Sequence, residues 1–296
     1  MTRADKIADT MPTRNPDIDP VQPLCVIIPA SNEEGYIGRC LAALLAQDAA
    51  AGAVQVVVAA NGCRDRTAQS ARQHADAFTA RGWVLEVLDI PEGGKTNALN
   101  RAEAVAQAGA RVFLDADVIC DPALLGQLRQ ALVTDAPRYA TGTLQVTRAK
   151  TAVTRAYARL WTRLPFVQGG AVGAGLFAVN PAGRARWGAF PAIISDDTFV
   201  RLNFAPDERI EVPARYHWPM IEGFSGLVRV RRRQDAGVAE VRRLYPDLGA
   251  HEDTARLTPG RIARLFLTAP VGFITYALVH VAVRLGRQDE TWTRGR

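Results

Sequence analysis

Four short apolar runs, rich in branched side chains and separated by stretches with helical spacing, constrain this chain more than any other feature. They are Leu24-Cys25-Val26-Ile27-Ile28-Pro29, Val54-Gln55-Val56-Val57-Val58-Ala59-Ala60, Val84-Leu85-Glu86-Val87-Leu88 and Arg111-Val112-Phe113-Leu114. Such runs read as buried strands. After the first, Ser31-Asn32-Glu33-Glu34 supplies an N-cap and early acidic residues for a helix through Ile37, Cys40, Leu41, Leu44 and Leu45. Further helices are expected from Thr67 to about Ala80 and from Thr96 to Ala108. This alternation predicts an α/β fold, with a mostly parallel sheet and helices on both faces. Ligands of such sheets bind beyond the carboxyl ends of the strands, where this chain places its polar clusters.

The second half is less regular. Ala140 to Val146 reads as a strand, residues 152–164 as helical, Gln168 to Asn180 as glycine-rich and apolar, and Asp196 to Asn203 as a helix. The chain's 296 residues suffice for one large or two modest domains, and 48% hydrophobic with 22% charged residues is globular composition. The net charge of +6 is unevenly placed. Arg229, Arg231, Arg232, Arg233, Arg242, Arg243, Arg256, Arg261, Arg264, Arg284, Arg287, Arg294 and Arg296 make the C-terminal third basic. That suggests an anionic partner, a diphosphate or anionic lipid; for any single arginine the alternative is a solvated surface. The cluster lacks interleaved aromatics, so no nucleic-acid partner is expected.

Cys25, Cys40, Cys63 and Cys120 show no zinc or redox spacing and sit in or beside apolar runs, which fits a reduced, cytoplasmic setting. Residues 1–22 carry no apolar core for a signal peptide and read as a flexible leader.

The sharpest chemical feature is Asp115-Ala116-Asp117 at the end of the fourth run. Residues two apart on an extended strand face the same way. If the extension persists through Asp117, two repelling carboxylates leave the sheet together and favour Mg²⁺ or Mn²⁺, which share oxygen ligands with phosphates. The alternative is an ordinary loop tripeptide. Glu33 and Asn32 follow the first run, Asn61 and Asp65 the second, and Gly93-Gly94-Lys95 the third. A lysine beside two glycines at a helix start can meet phosphate, or simply be an exposed turn residue. Neither a phosphate-binding G-x-x-x-x-G-K-[ST] nor a dinucleotide G-x-G-x-x-G is present. Ser195-Asp196-Asp197-Thr198 is a second acidic pair, either a plain helix start or the source of a general base. Gln168 to Gly175 holds four glycines, suited equally to a sugar-facing loop and to a packed turn. His74, His217, His251 and His280 read as helix-face residues.

Taken together, these residues resemble the family 2 glycosyltransferases, which have the GT-A fold. The resemblance lies in Val26-Ile27-Ile28-Pro29-Ala30-Ser31-Asn32-Glu33-Glu34, Val57-Val58-Ala59-Ala60-Asn61-Gly62-Cys63-Arg64-Asp65-Arg66-Thr67, Gly94-Lys95-Thr96-Asn97-Ala98-Leu99-Asn100, Asp115-Ala116-Asp117 and Asp196-Asp197, over about residues 24–203. It implies a GT-A-like, Rossmann-type sheet and an inverting, metal-dependent transfer from a nucleotide-diphosphate sugar (UDP- or GDP-sugar); the acceptor expected is a hydroxyl of a lipid-linked or other cell-envelope glycan. By it, Pro29, Ala30 and Glu33 line the nucleotide pocket, Asn61 and Asp65 lie near base and ribose, and Lys95 lies near the diphosphate. Asp115 lies over the nucleotide, Asp117 holds the metal with Asp115 beside it, and Asp197 is the base, with Asp196 as competitor. Asn61 stands where many relatives have Asp, and the pair is Asp-Asp rather than Glu-Asp. The Q-x-x-R-W motif of processive relatives is absent, and Arg233, in the arginine run of that region, is the candidate to neutralise the diphosphate.

The expected organisation is a leader at 1–22, a transferase domain at 23–225 with a nucleotide-binding half (about 23–120) and an acceptor half (about 121–225), and a basic, partly amphipathic helical region at 226–296. Leu265 to Leu285 is largely apolar between arginines. It suits a helix on an anionic membrane face, with contact through 261–287, or one packed on the protein itself. The location expected is cytoplasmic, peripheral on the inner face of the cell membrane. The alternatives are a nucleotidyltransferase, which would need a basic rather than acidic loop after the first strand, and a non-catalytic nucleotide-sugar-binding membrane scaffold.

Overall fold

The computed structural model describes residues 23–169, 171–253 and 257–285. The leader expected over 1–22, Gly170, Arg256, Arg287, Arg294 and Arg296 lie outside the described residues. The chain divides into two compact units: residues up to Leu144, Gly173–Ala192 and Phe204–His217 form one, and Gln145–Val172, Ile193–Asn203 and the chain from Trp218 onward form the other.

The first unit carries the sheet. Its strands are β1 Leu24–Ala30, β2 Val54–Asn61, β3 Val84–Ile90, β4 Ala110–Leu114, β5 Ile119–Cys120, β6 Tyr139–Val146, β7 Leu176–Val179 and β8 Arg209–Trp218, in the order β3-β2-β1-β4-β7-β6-β8-β5. The expected α/β architecture is present: β1, β2, β3 and β4 are parallel. Nearly every residue of β1, β2 and β4 is buried, as their unbroken apolar runs require, whereas edge strand β3 is only half covered. Leu24 lies opposite both Val54 and Ala110, so these strands start level. Near its start β2 carries a buried polar side chain: Gln55 accepts from the Gln107 amide at 2.7 Å and donates to Val105 O at 3.1 Å, which satisfies its amide.

β7 has no counterpart in the sequence-based expectation. It lies inside the stretch expected to be only glycine-rich and pairs antiparallel with β4, Arg111 opposite Val179. Its Phe177 stacks on Phe113 with centroids 4.9 Å apart, and Phe190 meets Phe113 edge-on at 5.3 Å; each such pair contributes about 0.5–1.5 kcal/mol beyond area burial. Gly173, with φ +70°, approaches the Tyr139 hydroxyl so closely that a Cβ would lie 1.8 Å from it, so this part of the glycine stretch is a packed turn. β8 is likewise a strand beyond that expectation.

The helices are shorter than periodicity suggested. The stretch from Thr67 breaks into Thr67–Arg72 and Ala75–Ala80, and the third helix covers Lys95–Glu103 rather than Thr96 to Ala108. The first helix, Glu34–Leu45, is not capped by Ser31. Thr67 Oγ1 accepts from the Glu33 amide at 2.7 Å and Asp65 from the Glu34 amide at 3.1 Å, so the loop after β2 caps the helix after β1.

The second unit is helical. Thr151 caps Ala152–Trp161, accepting from the Thr154 amide at 3.3 Å, and the helix ends short of the expected residue 164. The Glu222 carboxylate accepts from the Lys150 amide at 2.6 Å and from the Thr151 amide at 3.0 Å. Burial works to raise the Glu222 pKa, but these bonds and those from the Thr151 hydroxyl hold it below the usual carboxylate range. A long helix, Phe224–Leu244, is followed by Pro259–Thr268 and Pro270–Leu285. Among the described residues no single helix is long and apolar enough to cross a membrane.

Candidate active site

The loops at the ends of β1, β2, β3 and β4 are joined in a row by named contacts. Pro29 is partly covered and Ala30 buried at the end of β1. Asn61, 3% exposed at the end of β2, donates to Ala30 O at 3.0 Å and accepts from the Gly94 amide at 3.0 Å. Its amide therefore ties the loop after β1 to the turn after β3. Gly62 makes that approach feasible: its φ is +53°, and a Cβ there would lie 2.9 Å from Gly93 Cα.

Glu33 and Asp65, both half-buried, sit at this joint. Asp65 accepts from Glu34 N through one oxygen, and through the other from Thr67 N at 3.1 Å and Thr67 Oγ1 at 2.5 Å. Asn32, with φ +53°, accepts from the Arg64 amide at 2.6 Å. The residues expected near nucleotide and ribose thus also brace the loops that carry them.

Gly94 precedes the helix Lys95–Glu103, and Lys95 Nζ lies 3.1 Å from Asp115 Oδ1, each side chain about a third exposed. The β4 strand ends at Leu114. Asp115 to Val118 is a turn, with Val118 N bonded to Asp115 O at 3.1 Å, so the extension assumed through Asp117 does not occur. The two carboxylates consequently have different surroundings. Asp115 faces the lysine, while Asp117 is 8% exposed. Both bear on the Cys40 thiol: burial first, then Cys120 and the Asp117 and Asp115 carboxylates, push its pKa well above the ordinary thiol value.

No group of three or more His, Cys, Asp and Glu side chains among the described residues forms a closed metal site. The donors on offer are hard carboxylate oxygens only, too few to fill a shell. That set fits Mg²⁺ or Mn²⁺, which take part of their coordination from phosphate and water, and does not fit a structural zinc.

His217 is not a helix-face residue. It lies on β8 opposite Ile119, and its Nε2 is 2.8 Å from Asp121 Oδ1. The strand signal was present in the alternation of buried Val212, Ala214 and Tyr216. Of this imidazole–carboxylate pair, Asp121 lies four residues past Asp117 and His217 is distant in sequence, so no local motif marks it.

In the second unit, Asp196 and Asp197 open the helix Asp196–Leu202. Asp196 is 3% exposed, whereas Asp197 is half-buried and accepts from the Thr198 amide at 2.7 Å. Ser195 is not a side-chain cap. The turn is held instead by Phe224–Leu244: Glu240 accepts from the Ile194 amide at 2.9 Å, and Gly237 packs against Ser195. That helix also carries the arginine run. Arg231 pairs with Asp235 at 2.9 Å, Arg232 donates to Ala282 O at 2.7 Å, and Arg233 is half-buried.

The sequence profile of glycosyl transferase family 2 matches residues 25–183. No curated protein sequence gives a significant match. Among solved structures, a mannosyltransferase from Pyrobaculum calidifontis in complex with GDP-Man and Mn²⁺ is similar over 97% of this chain and 82% of its own, at 22% identity and a TM-score of 0.57. TarS from S. aureus in complex with UDP is similar over 89% of this chain and 92% of its own, at 14% identity and a TM-score of 0.49. At such identities the first likeness is one of fold. The family match spans more than half of the chain and removes the nucleotidyltransferase alternative. With the strand order and joined strand-end loops described above, it shows that this chain belongs to glycosyl transferase family 2 and is a glycosyltransferase of the GT-A fold.

Proposed function

We propose that the chain is an inverting, divalent-metal-dependent glycosyltransferase that moves a sugar from a UDP- or GDP-sugar to a hydroxyl of a lipid-linked or other cell-envelope acceptor, working at the inner face of the cell membrane. The observation that carries the reading is the linkage of consecutive strand ends, Ala30 to Asn61 to Gly94 and Lys95 to Asp115, with Asp117 beside it. It sets backbone amides, one ammonium and two carboxylates where a parallel sheet binds ligands. The similar mannosyltransferase in complex with GDP-Man and Mn²⁺ supports the donor class and the metal.

In this reading, residues 23–120 bind the donor, 121–225 the acceptor, and 226–296 form a basic helical flank. Pro29, Ala30, Glu33, Asn61 and Asp65 shape the nucleotide pocket. Lys95 and the amides beginning its helix meet phosphate oxygens. Asp115 lies over the nucleotide and Asp117 holds the cation, since the Lys95 ammonium already balances Asp115. A divalent cation bound there would offset the charge gathering on the departing diphosphate. Arg233 is the arginine assigned to neutralise the diphosphate. Asp197 takes the acceptor proton as the new C–O bond forms and the sugar–phosphate bond breaks, in one displacement with inversion. Its greater exposure favours it over the buried Asp196.

A thermal-shift screen of UDP- and GDP-sugars, with Mn²⁺, Mg²⁺ or EDTA, tests this. A bound donor at a hundredfold excess over Kd adds about 2.7 kcal/mol of stability. Asp117→Asn should lose the metal-dependent part of the shift, and Asp197→Asn should keep the shift and lose turnover. Equal donor affinity with and without metal in the unaltered protein would remove the metal role; an Asp197→Asn variant with full kcat would remove the base.

A further inference from the structure

The helix Pro270–Leu285 has one face committed to the protein and one left open. On the inner face Gly272 and Val279 are buried, and a Cβ on Gly272 would lie 2.7 Å from Ala156 O. Tyr276 stacks on Tyr157 with centroids 5.2 Å apart, and Arg232 holds Ala282 O at 2.7 Å. The outer face carries Val271, Ile274, Leu278, Val281 and Leu285, spaced by three or four residues and therefore in one stripe. Their exposures run from 51% for Val281 to 82% for Leu285. The preceding helix, Pro259–Thr268, adds exposed Phe266 and Leu267, and Phe266 meets Phe273 edge-on at 5.5 Å across the bend. A contiguous row of large aliphatic side chains facing outward marks an interaction surface.

The charge around the stripe identifies its occupant. Arg261, Arg264 and Arg284 are exposed, and no acidic residue occurs between Asp253 and Asp289. In a two-fold pairing of this face with a second copy, every formal charge that this segment brings from either chain would be positive. An anionic bilayer supplies both the apolar interior and the negative charge. Crossing the bilayer is not what this geometry suits: the two helices bend by 117°, neither reaches, among the described residues, the ~20 residues a span needs, and the inner face is already bonded to the protein.

We propose that this stripe docks the protein on an anionic lipid surface, with the helix lying in the plane of the interface, Val271, Ile274, Leu278, Val281 and Leu285 entering the acyl boundary, and Arg261, Arg264 and Arg284 at the phosphate level. This deepens the membrane location given above by naming the face and the lipid chemistry, and it does not depend on the transfer reaction.

Vesicle flotation of the full chain, without nucleotide sugar, tests it. The protein floats with vesicles of phosphatidylcholine and phosphatidylglycerol, floats poorly with phosphatidylcholine alone, and detaches as salt rises. A combined Ile274→Asp, Leu278→Asp, Val281→Asp variant stays in the bottom fraction with an unchanged melting temperature, because all three side chains point outward. A combined Arg261→Gln, Arg264→Gln, Arg284→Gln variant, which gives up the Arg261 guanidinium's bond to Arg163 O at 3.4 Å and keeps the apolar stripe, binds anionic vesicles roughly a hundredfold more weakly, about fivefold per charge. Absence of wild-type flotation, or wild-type flotation of either variant, overturns the proposal. So does a concentration-dependent dimer that the aspartate variant disrupts while the wild type ignores vesicles. Asp197→Asn floats like the wild type, so a failure of the sugar-transfer reading leaves this result separate.

Discussion

Replacing Gly237 by alanine asks whether the long helix Phe224–Leu244 sets the position of the second acidic pair. A Cβ at residue 237 would lie 2.2 Å from Ser195 Oγ and 3.0 Å from both Ser195 Cβ and Ile194 Cγ2. Ordinary contact begins near ~3.5 Å, so the hydroxyl must retreat by about 1 Å and the Ile194–Ser195 segment by a few tenths. Rotating the serine relieves only the first of these contacts. Overpacking of this kind costs about 1–3 kcal/mol, while alanine in place of glycine inside a helix returns about 1 kcal/mol. The net loss is therefore about 0–2 kcal/mol, a fall in Tm of at most about 5 °C. If Asp197 has the base role proposed above, catalysis should suffer more, because misplacing a catalytic group by ~1 Å can cost about a hundredfold. The expected outcome is kcat reduced at least about tenfold with donor affinity within about twofold of wild type. Thermal melting, donor titration and steady-state kinetics on one preparation separate these effects. Glu240→Gln, which keeps an acceptor for the Ile194 amide, should be mild, and Glu240→Ala should share the kcat defect. Wild-type kcat in Gly237→Ala with an unchanged Tm would refute the idea that this helix positions the turn.

Acid should weaken the second unit through Glu222. Its pKa is depressed in the folded chain, so its contribution is present above the ordinary carboxylate pKa and is lost as pH falls through the depressed value; Glu222→Gln should remove that component from a pH series of melting temperatures. Thiol labelling of the native protein should reach Cys63 alone, since Cys25, Cys40 and Cys120 are buried, and burial pushes the Cys25 and Cys120 thiols up to about 12; mass spectrometry that finds native-state label on Cys25 would contradict this.

The primary structure determined the frame of this protein, because its signals are local. Unbroken branched runs such as Val54 to Ala60 can be satisfied only by burial on both faces, and their alternation with helical stretches leaves few topologies besides a parallel sheet with polar loops at one end. The candidate residues Asn61, Lys95, Asp115 and Asp117 were legible for that reason. Tertiary structure decided what no local pattern encodes. β7 is too short and too glycine-flanked to announce itself, and becomes a strand by pairing with β4 some sixty residues away. Asn61 becomes a brace only once Ala30 and Gly94 are brought beside it. The Asp115–Val118 turn, the pairing of His217 with Asp121 and the structural commitment of Arg231 and Arg232 arise the same way. Periodicity reports which face of an element is covered. The partners of a polar side chain depend on chain closure over many residues, and only the folded state brings them within hydrogen-bonding distance.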